Sequence, residues 1–151
     1  MLKNIDPLLN ADVLYALRAM GHGDELAVVD ANFPGETIAR RSTLGRLLRI
    51  DTRTTGEAVR AVLSVMPLDS FVEDAACRME VVGDPTRLEP VQAEAQAVID
   101  AAEGKSWPLV GVERFAFYER AQRAFCIIQT NEPRFYGCII LKKGVFPPPG
   151  A

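Results

Sequence analysis

Met20-Gly21-His22-Gly23-Asp24-Glu25-Leu26-Ala27-Val28-Val29-Asp30 carries the chain out of a helical pattern and into an apolar run. Upstream, Asn10 stands where an N-cap belongs, and Val13, Leu14, Leu17 and Met20 share one helical face that Gly21 ends. Downstream, Leu26–Val29 is unbroken apolar sequence, which predicts a short strand buried in a sheet with helices against it. Such a strand delivers Asp30 at its carboxyl end, where open α/β sheets bind ligands. The same aspartate also suits a turn into Asn32-Phe33-Pro34. Between helix and strand lies His22, the only histidine of the chain. Its flanking glycines remove bulk and allow a sharp turn, so the imidazole can face a ligand. Histidine both gives and takes protons near pH 7, and an imidazole with a carboxylate suffices for cofactor-free proton transfer. Asp24 reads as a turn former or a partner for His22. The alternative is a histidine with a purely structural role.

The remaining chain alternates in the same manner. Ala31–Arg46, with Pro34 and Gly35, reads as a long loop, and Leu47–Ile50 as a second strand. Thr54 and Glu57 have capping-box spacing ahead of Ala58, Val59, Val62, Leu63 and Met66, a helix that Pro67 should end. Cys77, Met79 and Val81 alternate with Arg78, Glu80 and Val82, which predicts a strand covered mainly on one side. Pro90–Ala102 is helical, with Val91, Ala95, Val98 and Ala102 on one face and Gly104 just beyond. Leu109–Val112 reads as strand, Phe115–Arg123 as helix and Phe125–Ile128 as strand. Phe117 and Tyr118 fall near different faces of that helix, so at least one is core. After a turn at Asn131–Arg134, Cys138–Leu141 returns as an antiparallel strand. The expected fold is α/β: a single-domain, three-layer α/β/α arrangement with a mixed sheet over residues 1–146, followed by a frayed Pro-rich tail, 147–151.

Composition narrows the function. The chain has 151 residues, 48% of them hydrophobic and 25% charged, with a mean hydropathy of +0.05, as in an ordinary globular domain. A net charge of −3 argues against general nucleic-acid binding, which needs a basic surface. No apolar run has the length of a membrane helix, and Met1–Pro7 lacks the apolar core of a signal peptide. Three cysteines without a C-x-x-C pair, and a single histidine, leave little for a structural zinc site and suggest free thiols in the cytoplasm. Gly21-His22-Gly23 opens like a dinucleotide fingerprint, but Leu26 replaces the third glycine and the helix precedes the strand, the reverse of what pyrophosphate binding needs. Arg40, Arg41, Arg46, Arg49 and Arg53 form a basic cluster that reads as a solvated or subunit-contacting face, or as a site for an anionic substrate.

The chain resembles the L-fucose mutarotase and D-ribose pyranase family of sugar-anomer isomerases. The likeness runs from Met1 to about Val145. It is carried by Leu14-Tyr15-Ala16-Leu17, Met20 to Glu25, Asp30-Ala31-Asn32-Phe33-Pro34, Pro67-Leu68-Asp69-Ser70-Phe71, Arg114 to Ala121, Tyr136-Gly137, and Leu141-Lys142-Lys143-Gly144-Val145. The Asn-Phe-Pro and Phe-Tyr-Glu-Arg-Ala forms are those of the fucose branch. The resemblance implies that His22 is the proton donor and that Asp30, Arg114, Tyr136 and Gly137 hold the sugar. Cys138 stands where the family usually has asparagine, and a thiol is a weak substitute for an amide. The resemblance further implies a monosaccharide substrate, no metal or organic cofactor, and a homo-oligomeric ring, a decamer or smaller, with sites near subunit contacts. The expected activity is interconversion of the α and β anomers of L-fucose or a related aldose. Two alternatives stay open: a pyranase trading pyranose for furanose, and a non-catalytic sugar-binding accessory to transport.

Overall fold

A computed structural model describes residues Met1–Ala151. Its six strands are β1 (Glu25–Val29), β2 (Leu47–Arg49), β3 (Ala76–Met79), β4 (Val110–Val112), β5 (Cys126–Gln129) and β6 (Ile139–Lys142). Its five helices are α1 (Ala11–Ala19), α2 (Gly35–Ala39), α3 (Thr55–Leu63), α4 (Pro90–Glu103) and α5 (Arg114–Gln122). The strands form one sheet in the order β2-β5-β1-β6-β3-β4. All neighbours are parallel except that β6 runs against both β1 and β3.

The sheet separates two cores. Leu26 and Val28 of β1, with Ile139 and Leu141 of β6, face a cluster built from α1, α3 and α4. Ala27, Val29 and Ile140 face the opposite way, toward Phe33, Ile38, Phe117 and Ala121 around α2 and α5. Helices on both faces explain why β1 alternates between two apolar environments and carries no polar side. The expected three-layer mixed-sheet architecture is therefore present.

Local details depart from the sequence reading in instructive ways. Ala31–Arg46 is not all loop, since α2 occupies Gly35–Ala39. Proline is tolerated just before a first helical turn, and buried Ile38 and Ala39 hold the short helix on the sheet. Helix α3 begins as predicted, with the Thr54 hydroxyl accepting from the Glu57 amide at 3.1 Å. The Glu57 carboxylate turns to the Thr52 hydroxyl instead of closing the box. The helix ends at Leu63, with Ser64 as its cap, short of Pro67. Strand β3 is buried along its whole length and not on one side only. Arg78 is accommodated there because its guanidinium donates to the carbonyls of Pro85 (2.9 Å) and Arg87 (3.3 Å). On α4, Ile99 and Gln92 are buried where Val98 and Ala102 were expected; Val98 is half-buried and Ala102 exposed. Strand β6 is antiparallel, but its partners are β1 and β3, and β1 stands between it and β5.

Candidate functional site

The carboxyl ends of β1, β3 and β4 and the start of β6 meet at one edge of the sheet, and a cavity of about 250 Å³ opens there. Asp30, Arg114, Tyr136 and Cys138 line it together with Asn32, Phe33, Met79, Tyr118 and Phe135. Its size suits one small molecule, below the usual range for larger ligands.

Asp30 is 4% exposed; it forms the turn the sequence offered and stands in the cavity wall. Its Oδ1 accepts from the Asn32 amide at 2.9 Å, forming the turn. Its Oδ2 accepts from the Gly137 amide at 3.1 Å and from the Cys138 thiol at 3.3 Å. Burial pushes the Asp30 carboxyl above the ordinary carboxylate range, even though Cys138, Asn32 and Gly137 all donate to it. Burial likewise drives the Cys138 thiol well above its usual value, so this cysteine is no nucleophile. Gly137 stands behind the cavity wall. A Cβ there would meet Thr55 Oγ1 at 2.8 Å and Glu132 Cγ at 2.9 Å.

Tyr136 adopts a left-handed backbone, φ 64°. Its hydroxyl accepts from the Val82 amide at 3.2 Å, and its carbonyl accepts from Gln92 Nε2 at 3.1 Å. Arg114 opens α5 and donates from Nε to the Tyr118 hydroxyl at 3.2 Å. Its guanidinium lies 5.6 Å and 5.7 Å from the ring centres of Phe115 and Tyr118. The helix starts one residue earlier than expected, at Arg114, and so places Arg114 and Tyr118 four residues apart on one face, where such pairs can meet. Phe135 and Met79 carried no signal in the sequence.

His22 is elsewhere. It precedes β1, whereas Asp30 follows it, and five strand residues put the two roughly 16 Å apart. The imidazole is 44% exposed, and its Nε2 lies 3.2 Å from Oδ2 of Asp69, whose side chain is 5% exposed. The Phe71 amide donates to Asp69 Oδ1 at 3.0 Å, and that bond, with the His22 contact, holds Asp69 below the usual carboxylate range. An ionised Asp69 favours the proton on Nε2 and leaves Nδ1 for a ligand. The Phe71 ring lies 5.6 Å from the imidazole and is 74% exposed.

The turn bearing His22 is firmly pinned. Asp24 is a turn former, its Oδ2 accepting from the Gly21 amide at 2.7 Å. The Lys143 ammonium donates to the carbonyls of Leu17 (2.8 Å) and Met20 (2.5 Å), capping α1. The Lys143 backbone accepts from Gly23 and donates to Asp24. Asp69 had no local signal, because a bridge between Leu68 and Lys143 is what brings it near.

The other candidates are structural. Arg46 pairs with Asp12 at 3.0 Å and Arg49 with Glu36 at 3.6 Å, all four half or more exposed, so these members of the basic cluster form a solvated face. All three cysteines are buried and unpaired; burial lifts Cys77 to about 11 and Cys126 to about 12. No group of three or more His, Cys, Asp or Glu side chains is placed to hold a metal, and no helix is long and apolar enough to cross a membrane.

Residues 3–146 match the model of the RbsD / FucU transport protein family. A fucose mutarotase of Bos taurus is 40% identical over 98% of this chain and 96% of its own length. A crystal structure of the fucose mutarotase of Streptococcus pneumoniae in complex with L-fucose is 34% identical, with a TM-score of 0.85 over 97% of this chain and 100% of that one. Another solved structure is 60% identical, with a TM-score of 0.95 over 97% of each chain.

Proposed function

The chain belongs to the RbsD/FucU family, and from that premise we propose that it is an aldose mutarotase, interconverting the α and β anomers of L-fucose. The observation that carries this reading is the cavity at the carboxyl edge, where Asp30, Arg114 and two tyrosines surround a space of monosaccharide scale. Relatives of about this similarity are fucose mutarotases, one of them solved with L-fucose bound.

Mutarotation opens a hemiacetal: the ring oxygen gains a proton, the anomeric hydroxyl loses one, and the C–O bond re-forms on the other face. Unaided, this takes minutes, a barrier of roughly 21 kcal/mol. One acid, one base and a held substrate supply about 6–8 kcal/mol, enough for useful turnover. In this proposal Arg114 and Tyr136 orient the hydroxyls, Gly137 and Cys138 shape the wall, and Asp30 anchors that wall and holds a hydroxyl. With its Nε2–H on Asp69, His22 shuttles the proton through Nδ1, taking it from the anomeric hydroxyl and passing it to the ring oxygen. In this reading His22 comes from a neighbouring copy in a homo-oligomeric ring, since within one chain it and Asp30 lie at opposite ends of β1. Exposed aromatic rings border both halves: Phe71 beside His22, and Phe115 and Phe135 around the cavity. Unpaired buried thiols fit a reducing compartment, the cytoplasm.

Saturation-transfer NMR on L-fucose, galactose, ribose and rhamnose tests the reading. Accelerated exchange between the two pyranose anomers of L-fucose is expected; exchange into furanose forms alone would make the protein a pyranase, and binding without exchange would leave an accessory role. Asp69→Asn should lower the exchange rate about tenfold, the loss of one charge-assisted contact of about 1.4 kcal/mol. An unchanged rate would remove Asp69 from the acid's support.

A further inference from the structure

Gln92 lies on the buried face of α4 and is fully excluded from solvent. A primary amide in that setting is costly unless its polar atoms all find partners. They do. Oε1 accepts from the Glu89 amide at 3.2 Å, and Nε2 donates to the carbonyls of Met79 (2.7 Å) and Tyr136 (3.1 Å). One side chain thus ties the start of α4, the end of β3 and the turn into β6 together. Met79 and Tyr136 both line the cavity, and Gln92 itself does not.

Tyr136 is one of two non-glycine residues with positive φ, a conformation costing on the order of 1–3 kcal/mol that persists only where surroundings enforce it. The enforcement is visible. The carbonyl of Tyr136 is held by Gln92, the next amide by Asp30, and the next carbonyl by the Thr55 hydroxyl at 2.9 Å. Gln92 supplies the one bond of the three that acts on Tyr136 itself.

We propose that Gln92 is a positioning residue for the sugar: its amide holds the Tyr136 carbonyl against that of Met79, so that the tyrosine ring keeps its place in the cavity wall. The inference rests on the mutarotase reading for its substrate and on the hydrogen bonds alone for its geometry. Gln92→Met keeps volume and removes both donors. It should raise KM and Kd for L-fucose about tenfold while kcat stays within about threefold, the mark of lost ground-state binding. In a Tyr136→Ala background the same change should move Kd less than about twofold, because the ring that Gln92 positions is gone although the carbonyl it holds remains. A role confined to stability would move neither constant. Gln92→Glu, which keeps the acceptor for Glu89, is the second variant should Gln92→Met not fold, with the same expected loss.

An unaltered Kd in either variant, or an equal loss in both backgrounds, overturns the proposal. Should the unmodified protein neither bind nor turn over any aldose, the mutarotase reading fails separately. Amide exchange of Gly137 measured without sugar still decides Gln92: about tenfold faster exchange in Gln92→Met, with Ile140 unchanged, supports it, and equal rates refute it.

Discussion

His22→Ala is expected to slow L-fucose anomer exchange by about 10²–10⁴-fold, the usual worth of a positioned general acid. The affinity for the sugar should change little, because Arg114, Tyr136 and their neighbours form the cavity without it. Stability should also be nearly unaffected, since the imidazole is 44% exposed and its one polar contact is to Asp69. Saturation-transfer NMR reads the rate and a thermal melt with added fucose reads the binding. Ligand at 100 times its Kd raises stability by about 2.7 kcal/mol. A variant that exchanges anomers at the unmodified rate would strip His22 of its role and leave the cavity as a binding site only.

Gly144→Ala is expected to be the most damaging single methyl in the molecule. The added Cβ would fall 2.7 Å from the Leu68 carbonyl carbon and 2.9 Å from Asp69 Cα, with the Leu68 oxygen nearer still. These are backbone atoms and cannot swing aside. Overpacking of this kind costs about 3 kcal/mol, a fall of roughly 6–12 °C in Tm for a domain of this size. Relief requires the Leu68–Asp69 segment to move, which drags the His22 partner away, so exchange should fall together with Tm. Gly23→Ala is the control. Gly23 has φ 85° but open space around it, and the strained backbone alone should cost about 1 kcal/mol. Melting of Gly144→Ala within 2 °C of the unmodified protein would show that the two backbones are less tightly apposed than described.

Local chemistry made much of this readable from residues. The Asn10 and Thr54 caps, the apolar run of β1, Pro90 opening α4 and Gly104 closing it each act within a few neighbours, and each stands where expected. What escaped depended on distant partners. The α2 helix exists because Ile38 has a sheet to rest on, and Arg78 is buried because carbonyls from a later loop receive it. The site divides along the same line. Asp30 follows from its place after a buried strand, and Arg114 came only with the family resemblance. Asp69 and Phe135 enter only through tertiary contact. The separation of His22 from Asp30 was implicit in the length of β1, since a strand that connects two residues also holds them apart.

The lone reversed strand, β6, connects the cavity to the His22 turn. Tyr136 to Cys138 lead into it at the cavity, and Lys143 and Gly144 leave it beside the histidine turn. It is therefore a ruler. Adding or deleting one residue within Ile139–Lys142 would invert every side chain beyond the change and unseat one end or the other. Loops can vary at either end, but the distance between the His22 turn and the cavity along the chain is set by the four residues of this strand.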